Sequence, residues 1–247
     1  MMEDQALTVS NLNISYAAFR SKRIRNLFSE RTKDVESIHA VKDLSFSLSQ
    51  GEVLGVVGLN GSGKTTLLRA IAGIFSPDSG TIDLHGNRAS LMALGVGFDP
   101  ELTGRENIIL SGMMYGYTGR EVREVLDEII SFSELGNFIE YPVRTYSSGM
   151  HSRLSFSVTS FLKTDIMLVD EVISVGDAHF KEKSRARMQE MIDDKKHSVV
   201  LVSHDEELIR NTCDRVIWLD HGSLKMEGQT GVVLSGYYDF LAGCEGV

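Results

Sequence analysis

Cysteine is scarce: Cys213 and Cys244 are the two in 247 residues, and they stand far apart without metal-ligand spacing. Neither a disulfide framework nor a zinc site is therefore expected, and a reducing cytoplasm fits. Positive charge is also short, since a formal net charge of -9 lacks the basic surface of a dedicated nucleic-acid binder. No apolar run approaches the roughly 20 residues of a membrane span. The opening MMEDQALTVS has no basic stretch leading into an apolar one, so no secretory leader is expected. None of the seven histidines sits in a metal-like cluster. What is present is 42% hydrophobic and 24% charged, enough for one large domain or one domain with subdomains.

Strand character is found at residues 7–16, 44–48, 53–57, 81–84, 166–169, 199–202 and 216–219. Helical spacing lies between many of them, as at Val122, Val125, Leu126, Ile129 and Ile130. Strands alternating with helices predict a largely parallel α/β core. The strands up to Val57, and again around 81–94, lack intervening helices and read as an added antiparallel sheet. Residues from about 101 to 162 are mainly helical, as expected of a subdomain inserted into the core. A further helix is expected around Val232, Val233, Tyr237, Tyr238 and Leu241. Between Arg20 and Lys33 the basic residues Arg20, Lys22, Arg23, Arg25, Arg31 and Lys33 face one acid, Glu30. Such an insertion, about 17–38, suits anionic headgroups or an acidic partner, or is a solvated loop or helix.

Gly58-Leu-Asn-Gly-Ser-Gly-Lys64-Thr65-Thr66 follows a strand and opens a helical run, which is G-x-x-x-x-G-K-T in its required context. Its glycines let backbone N–H groups surround phosphates, Lys64 adds charge there, and the Thr65 hydroxyl suits Mg²⁺. The glycine spacing differs from the dinucleotide-binding G-x-G-x-x-G. The apolar run 166–169 ends in Asp170-Glu171, carboxylates at the end of a buried strand, where ligands of open α/β sheets bind. Asp170 can hold Mg²⁺ and Glu171 can polarise an attacking water. His204, after the strand 199–202, could hydrogen-bond the γ-phosphate. Alone, either group would be an ordinary polar strand end. Tyr146-Ser147-Ser148-Gly149-Met150 precedes the helical positions Leu154, Val158, Phe161 and Leu162, so Ser147 and Ser148 are candidate helix caps. A helix start of this kind is equally an anion site.

In order and spacing these motifs resemble the ATP-binding subunits of ABC transporters over nearly the whole chain. The resemblance implies a P-loop NTPase (RecA-like) α/β core with an antiparallel β subdomain and an inserted helical subdomain. GLNGSGKTT matches the Walker A loop, so Gly58, Asn60, Gly61, Ser62, Gly63, Lys64, Thr65 and Thr66 are the expected ATP contacts. YSSGM corresponds to the LSGGQ signature, which places Ser147, Ser148 and Gly149 on the ATP of an opposite subunit. IMLVDE matches Walker B, with Asp170 and Thr65 toward Mg²⁺ and Glu171 as catalytic base. Ser174-Val175-Gly176-Asp177 stands at the D-loop, and His204 is the switch histidine. Tyr16 matches the adenine-stacking aromatic or is a plain strand aromatic. Tyr146 and Met150 depart from the signature's leucine and glutamine, and Asp99 occupies the position of the Q-loop glutamine.

YSSGM, DEVISVGDAHF, GFDPELTGREN and SELGNFIEYPVRTYSSGM resemble the branch that exports O-antigen, capsule or teichoic acid. That implies ATP hydrolysis with Mg²⁺, driving a lipid-linked glycan through a separate permease. It further implies a homodimer, no nucleic acid, and a peripheral position on the cytoplasmic face of the inner membrane. Chain end at Val247 leads to the expectation of no C-terminal carbohydrate-binding domain. The competing readings are a soluble non-transport ABC ATPase such as the cluster-assembly type, an ABC ATPase for another cargo, a small-molecule P-loop kinase, and a non-enzymatic nucleotide clamp. The kinase does not explain YSSGM ahead of IMLVDE, and the clamp would require a defective base.

Overall fold

The computed structural model describes residues 5–19, 35–92, 97–162, 164–170 and 177–244. The basic cluster from Arg20 to Lys33, and Glu171, Ser174, Val175 and Gly176, lie outside the described residues. Strands β1 (Gln5–Phe19) and β2 (Val35–Ser49) pair antiparallel, and β4 (Ser79–Asp83) adds to the other edge of β1. In β1 the buried positions run Leu7 and Val9, then Leu12 and Ile14, a change of phase by one residue. A register shift absorbs it, with Asn11 in the left-handed region at φ 48°.

Six strands form the second sheet, in the order β5 (Ala89–Leu91), β6 (Ile166–Asp170), β7 (Ser198–Val202), β3 (Val53–Val57), β8 (Arg215–Asp220) and β9 (Ser223–Gln229). The first five run parallel and β9 returns antiparallel. Side chains alternate between two cores. Leu54, Val56, Ile166, Leu168, Val200, Val202, Ile217 and Leu219 face helix α1 (Lys64–Ile71) and the antiparallel sheet. Val53, Val57, Met167, Val169, Val199, Leu201, Val216 and Trp218 share a core with residues of α6 (Ala178–Asp193), α7 (Glu206–Thr212) and α8 (Thr230–Cys244). In α8 the buried apolar residues are Val233, Leu234 and Tyr237, while Val232 is exposed.

Two expectations about sheet membership are corrected. Val53–Val57 belongs to the centre of the parallel sheet, not the antiparallel one, because all five of its residues are buried, as a strand covered on both faces requires. Within 81–94 the sheet assignment also divides: Ser79–Asp83 is antiparallel to β1, whereas Ala89–Leu91 runs parallel to β6 at the core edge. Strand β9 went unread because SLKMEGQ is largely polar.

Helices α2 (Gly104–Met114), α3 (Gly119–Glu124), α4 (Leu126–Ser133) and α5 (Ser148–Phe161) share a core of their own, including Ile108, Val122, Ile129, Ile139, Val143, Leu154 and Val158. Capping boxes start two of them, Thr103 with Glu106 and Thr118 with Glu121. The pattern from Val122 to Ile130 breaks at Val125 (φ −110°, ψ 3°), which separates α3 from α4 without changing which face packs. Leu154 is fully buried there. Leu154→Ala should lower the unfolding free energy by about 2–5 kcal/mol, through lost transfer energy plus the cavity left behind. Urea denaturation measures it, and a loss well below 1 kcal/mol would show that this core collapses around the deletion.

Candidate functional site

The strand β3 delivers the loop from Gly58 to Gly63 at the carboxyl edge of the parallel sheet, and α1 begins at Lys64. Gly63 caps α1 at φ 101°, and a Cβ there would lie 2.3 Å from the Ala40 carbonyl oxygen. Only glycine lets the loop rest on β2 in this way. The Lys64 ammonium is buried and donates to the carbonyls of Gly58 (2.7 Å) and Leu59 (3.0 Å). Backbone bonds tie the loop to its neighbours: Gly222 N–H donates to Ser62 O (3.1 Å) and Lys42 N–H to Gly222 O (2.8 Å).

A cleft of about 320 Å³ opens above this loop, lined by Asn60, Gly61, Gly63, Lys64, Thr65, Thr66, Tyr16, Asp170 and His204. Gly58 and Ser62 do not line it; both are buried. Tyr16 donates to Thr66 Oγ1 (3.1 Å), and its ring meets Phe75 edge-on at 5.7 Å. Asp170 ends β6 opposite Val202, and His204 follows two residues after Val202, so the adjacent ends of β6 and β7 bring both to the cleft. Ile38, His39 and Ala40 complete the lining and were not singled out from the sequence. Their signal is the strand register, which sets Ile38 opposite Tyr16.

Other expected residues stand apart from this lining. Ser147 is the N-cap of α5, its Oγ accepting from Met150 N–H at 3.2 Å, and Ser148 is the first helical residue. Space around Gly149 is open, the nearest atom to a built Cβ being Ser147 Oγ at 3.9 Å. Tyr146 donates its hydroxyl to Phe138 O (2.8 Å), and burial raises its pKa. An aromatic there thus braces the segment ahead of the cap. Asp177 caps α6 by accepting from Phe180 N–H (3.0 Å) and pairs with Arg153 of α5. The Phe180 bond, and then Arg153, hold its carboxyl below the usual range. Asp99 Oδ1 accepts from Glu101 N–H (2.9 Å), so its carboxylate closes a local turn. The fully buried Asn107, which the sequence did not mark as structural, holds that turn. It accepts from Asp99 N–H (2.7 Å) and donates to the carbonyls of Asp99, Leu102 and Thr103.

The ABC transporter family model matches residues 41–174, more than half of the chain and a span that includes the loop, the α5 start and Asp170. The chain belongs to the ABC transporter family. It is 41% identical to the O-antigen export system ATP-binding protein RfbB of Klebsiella pneumoniae, over 82% of each chain. It is 41% identical to the RfbB of Myxococcus xanthus over 92% of this chain and 52% of that protein. With the teichoic acids export ATP-binding protein TagH of Lactococcus lactis it shares 42% identity over 89% of this chain and 47% of the relative. The chain thus spans about half the length of some curated relatives it matches. Among solved structures, the ATP-binding cassette MJ0796 in a dimeric, post-hydrolysis state with ADP and Pi has a TM-score of 0.68. That match has 21% identity and covers 91% of this chain and 98% of the other. An ATP-binding subunit of an ABC transporter matches at TM-score 0.71 and 20% identity, over 94% and 93% of the two chains. At such identity these two establish the fold.

In this ABC cassette the α5 start is capped by one serine of the pair. Ser147→Ala should cost about 1 kcal/mol of stability, as cap losses do, and Ser148→Ala, where no cap bond is lost, should change it by less than about 0.5 kcal/mol. Paired thermal or urea unfolding of the two variants reads the difference; equal losses would remove the cap from Ser147.

Proposed function

We propose that this cassette is the ATP-hydrolysing subunit that powers export of a lipid-linked polysaccharide, two copies working beneath a separately encoded membrane permease. The observation that carries the reading is one cleft combining the phosphate loop, Asp170 and His204, in a chain whose relatives are named for O-antigen and teichoic-acid export. No helix among the described residues is long and apolar enough to cross a membrane. The translocation path then comes from the permease, with the cassette held at the cytoplasmic face of the inner membrane.

ATP–Mg²⁺ fits the donors present. Thr65 and Asp170 contribute the hydroxyl and carboxylate oxygens that a hard cation with several retained waters accepts. When bound, the ion would supply charge neutralisation to the phosphates. The N–H groups at the start of α1 and the Lys64 ammonium receive phosphate oxygens, and Tyr16 stacks on the adenine. Glu171, next after Asp170, takes a proton from the attacking water, and His204 donates a hydrogen bond that orients it. Ser147, Ser148 and Gly149 stand outside their own cleft's lining, which fits action on the γ-phosphate of the opposite subunit. The exposed N-terminus of α5 complements that charge, and Asp177 borders the same interface. Asp99, at the Q-loop position, acts here by closing the turn of residues 99–107 that faces the permease.

Glu171→Gln should bind ATP, form a dimer and lose about 10²–10⁴ in turnover, as removal of a general base does. Light scattering with saturating ATP and Mg²⁺ reports the dimer; a monomer under those conditions would refute a composite site formed by this chain alone. Cells carrying Lys64→Ala should lose polysaccharide from the surface and accumulate lipid-linked glycan inside. Unchanged surface glycan, with no redundant exporter, would move the search to another cargo.

A further inference from the structure

A second cavity shares His204 with the nucleotide cleft. It encloses about 290 Å³ between α6 and the start of α7, close to the lower size of small-ligand pockets. Met188, Ile192, Leu201 and Leu208 supply its apolar side chains. Lys181 and Arg185 supply positive charge; at i and i+4 they lie on one face of α6, and Met188 and Ile192 continue that face.

The charge pattern is selective along this helix. Lys183 and Arg187, which do not line the cavity, are neutralised by Glu134 (2.6 Å) and Glu190 (3.2 Å). Lys181 and Arg185 have no ion pair among the described residues, although the chain carries a net charge of -9. Asp205 is the acid of the lining, and its Oδ1 caps α7 by accepting from Leu208 N–H (3.1 Å). Both side chains are exposed, so their mutual repulsion is weak; the two positive charges beside buried apolar surface favour an anion with an apolar body.

We infer that this cavity binds a small amphipathic anion, a carboxylate, sulfonate or phosphate monoester on a compact apolar body. The head group sits between Lys181 and Arg185, and the body lies against Met188, Ile192, Leu201 and Leu208. Occupancy reaches the nucleotide cleft through His204, whose position both cavities define. The cavity is therefore a regulatory site adjoining the γ-phosphate side of the cleft.

The probe is 1-anilinonaphthalene-8-sulfonate, titrated by fluorescence into the full chain. One saturable site per chain is expected, undisplaced by ATP. Lys181→Glu combined with Arg185→Glu should weaken it at least tenfold, Met188→Trp should block it by filling the cavity, and Lys195→Glu, past the C-terminal end of α6 and outside the cavity lining, should leave it unchanged. Circular dichroism verifies that each variant is folded. With ATP as substrate, saturating probe should change kcat and leave the KM for ATP unaltered in the parent chain, and do neither in the double variant. Equal probe binding in parent and double variant, or competitive displacement by ATP, would overturn the site. Binding with unchanged kcat would overturn the link through His204. The binding measurements need no turnover, so they stand apart from the ATPase and export readings.

Discussion

The phosphate loop depends on where β3 ends. This strand is buried throughout and hydrogen-bonded between β7 and β8, so its five residues have no freedom to shift register. A slip of one position would exchange Leu54 and Val56 with Val53 and Val57 between two different cores. The phosphate loop is thereby fixed at its point of departure. Its far end is fixed by the contact of Gly63 with Ala40, and its middle by the Gly222 bond to Ser62. Loop conformation is set by three separate elements, β2, β3 and the β8–β9 turn, which distributes the entropy cost of ordering it over packing made elsewhere.

This arrangement also explains why the cleft spans two sheets. The antiparallel sheet contributes Tyr16 and the Ile38–Ala40 stretch, the parallel sheet contributes Asp170 and His204, and α1 lies in the core between them. An apolar, aromatic wall thus faces a polar phosphate floor. That division matches the two halves of a nucleotide, a flat base and a polyanion.

What could be read in the sequence was what local chemistry determines. The G-x-x-x-x-G-K-T loop needs its glycines wherever it occurs, Asp170 is marked by the apolar run before it, and Ser147 by the helical spacing after it. Sheet membership was harder, because no helix separates Val53–Val57 from the alternating strands before it, and the continuous apolar run VLGVV was the one sign that both of its faces are covered. Ile38, His39 and Asn107 were not legible as site or structural residues. Their places come from pairing register and from a turn stitched across eight residues, neither of which leaves a composition signal. Asp99 was legible as a departure from the family pattern; its present task, holding Glu101 N–H, required coordinates.

The electrostatics of Lys64 connect fold to chemistry. A buried ammonium is costly unless its donors are satisfied, and here the carbonyls of Gly58 and Leu59 satisfy two of them within the loop itself. Those bonds are already charge-assisted from the donor side; a phosphate oxygen as acceptor would ionise both partners and add Coulomb attraction. The loop therefore keeps its cation in place at modest cost and leaves it able to exchange neutral acceptors for an anion without refolding. In a protein of net charge -9, the Lys64 ammonium and the aligned N–H groups of α1 put local positive potential at the floor of this cleft.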